Sequence, residues 1–133
     1  MTAQSTQVGG DHYKKWRVEP HVLMASMVGP AAHIAGYLLR TKGDDDLDKA
    51  LHWCKLANET KSIGLGIYIP QEAQGTLVEQ ALQWCYYNHI NPNEDLAQAL
   101  QALAALNYEG AHEIIKSIKF KQEVVNEQSR EED

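Results

Sequence analysis

Apolar residues recur along most of this chain at the three- and four-residue steps of an amphipathic helix, and Gly, Pro and Asn punctuate the pattern. Pro20 suits the first turn of a helix, with Glu19 beside it favouring the positive helix end. Val22, Leu23, Met24 and Met27 make that segment a short apolar helix, which Gly29-Pro30 closes. A second helix is predicted from Ala31 to Thr41, with Ile34, Leu38 and Thr41 on one face and Tyr37 at its edge. Gly36 in its middle either weakens it or admits another backbone. After Gly43 the clearest stripe begins: Leu47, Ala50, Leu51, Cys54 and Ala57 share one face, and Asp48, His52, Lys55 and Glu59 share a polar one. Asp44, Asp45 or Asp46 can cap this helix, which ends near Ile63. Asp48 and His52 read as an i,i+4 ion pair, since two ligands are too few for a metal site.

The run from Gly64 to Pro70 is the only strand-like stretch, and it is short enough to read as an apolar connection between two helical halves. The helical period returns from Gln71 to Asn88, with Leu77, Ala81, Trp84 and Asn88 on one face and Val78, Leu82 and Cys85 beside it. So wide an apolar arc predicts burial on two sides. Asn91 to Asp95 punctuates and caps a further helix, whose stripe is Leu96, Ala99, Leu100, Leu103 and Leu106. Asn107 to Gly110 reads as a turn. A last helix carries Ile114, Ile115, Ile118 and Val125, followed by a polar acidic tail that frays. The fold class is therefore all-α: one domain over 1–133, a compact bundle of five or six helices with an irregular N-terminal arm and flexible termini. Leu47 to Cys54 echoes Leu77 to Cys85, both closing on Trp-Cys; this fits the shared needs of two core helices of one bundle better than an old duplication.

Composition adds exclusions. With 44% hydrophobic and 23% charged residues the chain is ordinary for a globular domain. A net charge of −6 argues against a protein that coats nucleic acid, because that affinity comes from neutralising phosphates. Cys54 and Cys85 lie far apart, outside any metal spacing, and read as buried thiols of a reducing compartment. No apolar run approaches a membrane span, and the start of the chain does not resemble a signal peptide, which predicts a cytoplasmic location.

Most chemistry-capable residues lie between Val8 and Glu59. Gly9-Gly10 permits a turn that displays His12 and Tyr13, unless this is only an arm that packs Tyr13 and Trp16 on the body. Lys14, Lys15 and Arg17 follow, then Arg40 and Lys42 at a helix end, then the acidic start Asp44 to Asp48. Basic groups followed by acidic ones, if brought together, could hold a phosphate and its magnesium ion; helix-end charge and capping explain the same residues without a ligand. No P-loop is present.

With His12-Tyr13, Tyr37-Leu38-Leu39-Arg40 and Asp46-Leu47-Asp48-Lys49-Ala50 in order, residues 9–59 resemble a family of small tailed-phage proteins long labelled a domain of unknown function. One member of that family is a deoxynucleoside-monophosphate kinase without a P-loop. His33 stands where the family has Asn, and Gly36 where it has a Lys before the Tyr, which removes one expected phosphate contact; Lys42 is the candidate substitute. Residues 60–133 show no counterpart. The resemblance implies a phosphotransferase of nucleotide metabolism acting in the cytoplasm of an infected host. In it His12 and Arg40 serve catalysis, Tyr13, Tyr37, Lys42 and Lys49 hold the nucleotide, and Asp46 with Asp45 holds Mg2+ through water. A nucleoside triphosphate would be the phosphate donor. The alternative is a non-catalytic phage protein on the same scaffold that binds a nucleotide or a host protein. Self-association into a homo-oligomer fits either class.

Overall fold

The structure, a computed structural model, describes residues 16–40 and 45–132. Among these the chain forms six α-helices and no strand: α1 (Pro20–Met24), α2 (Pro30–Arg40), α3 (Asp46–Ser62), α4 (Gln71–Tyr87), α5 (Asp95–Ala104) and α6 (Tyr108–Glu132). The expected all-α bundle is thus the observed one. No helix among the described residues is long and apolar enough to cross a membrane.

Helices α2 and α5 form the middle of the bundle. Helix α2 packs on α1, α3 and α5, and α5 packs on α4, α6 and α2, while α6 also lies along α3. Their predicted stripes supply the core: Ile34 and Leu38 from α2, Leu100 and Leu103 from α5, Cys54 from α3 and Ile115 from α6 are all buried, and Leu39, outside the predicted α2 face, is buried with them. Burying each large aliphatic side chain contributes roughly 1.5–3 kcal/mol, so these faces hold the helices together. Helix α4 contributes Ala81, Trp84 and Cys85 to the same core. The Trp-Cys echo does not extend to environment, since Trp84 is 4% exposed and Trp53 is 37% exposed.

Three helix ends share one device. At the C-termini of α3, α4 and α5 the chain turns through a left-handed residue: Gly64, His89 and Leu106, with φ of 80°, 58° and 58°. In each, two amides beyond the helix return to its last carbonyls, as Ile90 N–H does to Cys85 and Asn107 N–H to Ala102, at 2.9 and 2.8 Å.

Several local expectations change. Asn107 is not the start of a free turn: its Oδ1 accepts from Gly110 N–H at 3.0 Å, so it caps α6 and draws Tyr108–Gly110 into the first helical turn. Helix α6 continues through the polar tail to Glu132, because Glu, Gln and Lys are good helix formers even where no core face remains. The Asp48–His52 pair is replaced by a cross-helix one, with Lys119 Nζ 2.5 Å from Asp48 Oδ1. The 64–70 run is an irregular connection, as expected, that exposes Leu65, Ile67 and Tyr68 and buries Ile69. His12, Tyr13 and Lys42, and the arm that carries the first two, lie outside the described residues.

Candidate functional site

The residues that α2 and α3 bring together form a seam of aromatic rings and cations. On α2, steps of four and three align His33, Tyr37 and Arg40 on one side. On α3, Lys49 and Trp53 are four apart and face them. His33 lies edge-to-face with Tyr37 at 4.9 Å and with Trp53 at 4.7 Å. Such pairs contribute about 0.5–1.5 kcal/mol each beyond their buried area. The Lys49 ammonium lies 5.7 Å from the centre of the Tyr37 ring. That contact is a cation–π one, of about 0.5–1 kcal/mol at an exposed site.

Asp45 also meets this lysine. Its Oδ2 is 3.6 Å from Lys49 Nζ, and it makes no side-chain cap bond to the α3 amides. Capping was the expected role; the side chain lies instead toward the ammonium one turn along. Asp46, the first residue of α3, is 4% exposed. Magnesium takes one or two carboxylates and completes its shell with water and phosphate oxygens. Of the two carboxylates expected to hold it, Asp45 is exposed and Asp46 buried. Among the described residues no three His, Cys, Asp or Glu side chains are grouped to hold a metal ion.

Arg40 ends α2, half-buried, and makes no ion pair with any described residue. Gly36, where the resembling family has a lysine, is buried: a Cβ there would stand 2.9 Å from the terminal methyl of Met24. The close neighbour is a flexible side chain, not the backbone that the sequence suggested. A lysine at this position would have to displace Met24, and the cation beside Tyr37 comes from Lys49 instead.

Trp53 is the residue that sequence reasoning missed. Its signal was present: Lys49, Trp53, Leu56 and Thr60 follow each other at steps of four, three and four, a second stripe beside the core stripe of α3. All four are exposed. Beyond Trp53 this stripe forms one wall of a cleft of about 200 Å³, closed by Lys61, Ile67 and Tyr108. The two cysteines take no part in such chemistry. Both are buried and unpaired by disulfide, and burial pushes the thiols up to about 12 for Cys54 and about 11 for Cys85, so neither is a thiolate near neutral pH.

No family model, curated protein or solved structure matches the chain. Of the motif residues that carry the resemblance, Tyr37, Arg40, Asp46, Leu47, Lys49 and Ala50 fall on described residues.

Proposed function

We propose that this is a nucleotide-binding protein whose site is the α2–α3 seam. In this reading it is a phage protein of nucleotide metabolism that transfers a phosphoryl group to a nucleoside monophosphate. The observation that carries the reading is Lys49, beside Asp45 and over the ring of Tyr37, with Arg40 one helical turn beyond Tyr37. Aromatic rings with adjacent cations are what a nucleotide requires: a surface for the base and donors for the phosphates. Arg40 offers a two-pronged fork to phosphate oxygens, and Lys49 a point charge. His12 and Lys42 belong to the same reading through the resemblance, as do Tyr13 against the base and Mg2+ brought in with the donor triphosphate. Phosphoryl transfer asks mainly for positioning and charge neutralisation, which such a set supplies.

The test is a thermal-shift series with nucleoside mono-, di- and triphosphates, with and without magnesium, followed by a phosphotransfer assay with any pair that binds. Ligands that bind only the folded form raise the melting temperature by mass action. A shift with a deoxynucleotide that Arg40→Ala removes is the expected result. No shift with any nucleotide overturns the reading. A second reading, a non-catalytic protein that engages a host protein, is favoured by Ile63, Leu65 and Tyr68, which are 72%, 73% and 85% exposed.

A further inference from the structure

The cleft beyond Trp53 has features that a simple surface depression lacks. Its outer wall, the 65–67 segment, is fixed at two close approaches. A Cβ on Gly66 would lie 3.0 Å from the Lys61 Cα, and one on Gly29 would lie 2.5 Å from the end of Ile67. The segment thus lies close on the α3 backbone at one point, and the tip of the Ile67 side chain rests by Gly29, just before α2, at the other. Trp53, on the opposite wall, is held by its edge contact with His33 although it is 37% exposed. Both apolar walls are set before any ligand arrives, as small-molecule sites require.

The polar groups of the cleft are few and incompletely used. Tyr108 is 5% exposed, and its hydroxyl makes no hydrogen bond with any described residue. Burial raises its pKa, with the neighbouring Cys54 adding to the rise, so the phenol stays protonated and remains a donor. Lys61 gives one ammonium hydrogen to the Leu106 carbonyl at 3.1 Å and has two more to give. Thr60 donates its hydroxyl hydrogen to the Leu56 carbonyl at 2.9 Å, which leaves its oxygen lone pairs as acceptors. Two donors and one acceptor thus edge a slot with apolar walls. A purely aliphatic guest would cover the Tyr108 hydroxyl without offering it a partner, which is costly for a donor taken out of water.

We propose that this cleft receives the heteroaromatic ring of a nucleobase, with Trp53 and Ile67 on its faces and its edge bonded by Tyr108, Lys61 and Thr60. The inference rests on the nucleotide reading of the seam and says where the base lies. Trp53 belongs to both the cleft and the seam, so one ligand can place its base beyond Trp53 and its phosphates towards Lys49 and Arg40.

The experiment follows the Trp53 indole N–H by NMR, one of three tryptophan signals, assigned through Trp53→Phe. The protein is titrated separately with the four common deoxynucleosides, their 5′-monophosphates, inorganic phosphate and indole. At least one deoxynucleoside is expected to move the Trp53 signal. Tyr108→Phe and, at an exposed position away from the core, Thr60→Val are each expected to weaken that binding by about three- to tenfold, the loss of one hydrogen bond to the ligand. Monophosphates that bind without moving Trp53 would overturn the base placement and leave the nucleotide reading standing. Absence of binding by every nucleoside and nucleotide would overturn both. Indole and nucleosides binding alike, with neither variant changing either, would overturn the hydrogen-bonding class of the ligand.

Discussion

Asn88 holds Val18 by both sides of its amide: Val18 N–H donates to Asn88 Oδ1 at 3.0 Å, and Asn88 Nδ2 donates to the Val18 carbonyl at 3.1 Å. The side chain acts as a one-residue partner strand for the segment that leads into α1. One turn earlier on α4, Trp84 Nε1 donates to the Glu19 carbonyl at 3.2 Å, and its ring lies 5.2 Å from that of Trp16. Two adjacent residues of the N-terminal segment are therefore tied to the end of α4. Asn88 Nδ2 also donates to the Trp84 carbonyl at 3.0 Å, so Asn88→Ala removes three hydrogen bonds, leaves Val18 N–H without its acceptor, and is expected to destabilise the protein by about 2–3 kcal/mol. Urea denaturation of the variant measures this directly. Asn88→Asp keeps the acceptor for Val18 N–H but turns a second acceptor onto the Val18 and Trp84 carbonyls, and is expected to lose at least as much.

His89 and Leu106 occupy equivalent left-handed positions after α4 and α5, where glycine carries no steric penalty. They differ in what else they do. His89 is exposed, with only a long 3.4 Å contact to Arg17, whereas Leu106 is 4% exposed in the core. His89→Gly is expected to raise stability by about 1 kcal/mol through relief of backbone strain. Leu106→Gly is expected to lower it, since the lost burial of a leucine, roughly 2–5 kcal/mol with its cavity, exceeds the relief. Opposite shifts in melting temperature would bear out this division; a loss at both positions would show that the His89 ring carries more than its exposed position implies.

These turns also show where sequence reading stops. The core stripes of α2, α3 and α5 were legible because apolar periodicity encodes which face meets the bundle. The end of α4 was legible as punctuation, but a left-handed histidine was not, because the hydrogen bonds that impose it come from the helix rather than from histidine itself. Asn107 read as turn chemistry and proved to be a cap, two outcomes that the same side-chain acceptor serves. In the candidate site, Tyr37, Arg40, Lys49 and Asp45 were visible as residue types in a motif. That Asp45 would choose Lys49 over the helix amides, and that His33 would bridge Tyr37 to Trp53, depends on the angle at which α2 crosses α3. No local pattern encodes that angle.

The two buried thiols set an alkaline limit on stability. Desolvation raises Cys54 to about 12 and Cys85 to about 11, against about 8.5 for an unfolded thiol. Between the unfolded and folded values the native state holds protons that the unfolded chain has released. The unfolded state therefore binds fewer protons there, and stability falls as pH rises. Their contribution is fully present below about pH 8.5 and declines above it, through about pH 11 and 12. Denaturant midpoints measured from pH 8 to pH 10.5 are expected to fall, and to fall less in a Cys54→Ala, Cys85→Ala variant. Thiol reagents at pH 8 are expected to label the native protein only on the timescale of unfolding.

Asp45 and a ligand phosphate compete for one ammonium. In the free protein the Asp45 carboxylate lies 3.6 Å from Lys49 Nζ, both groups largely in water, so the pair is weak and easily exchanged. A phosphate arriving at the seam must displace it. Without magnesium, Asp45→Asn removes the competitor and one negative charge, and nucleoside-monophosphate affinity is expected to rise about two- to fivefold, the range of an exposed ion pair. With magnesium the sign reverses if Asp45 is the carboxylate that holds the ion through water, because the variant then loses the metal-dependent part of binding. Lys49→Met keeps an apolar stem over Tyr37 and removes only the charge, and is expected to weaken binding in both conditions. Calorimetric titration of the three proteins with and without magnesium separates the roles. Identical affinities throughout would place the phosphates somewhere other than the Lys49 end of the seam.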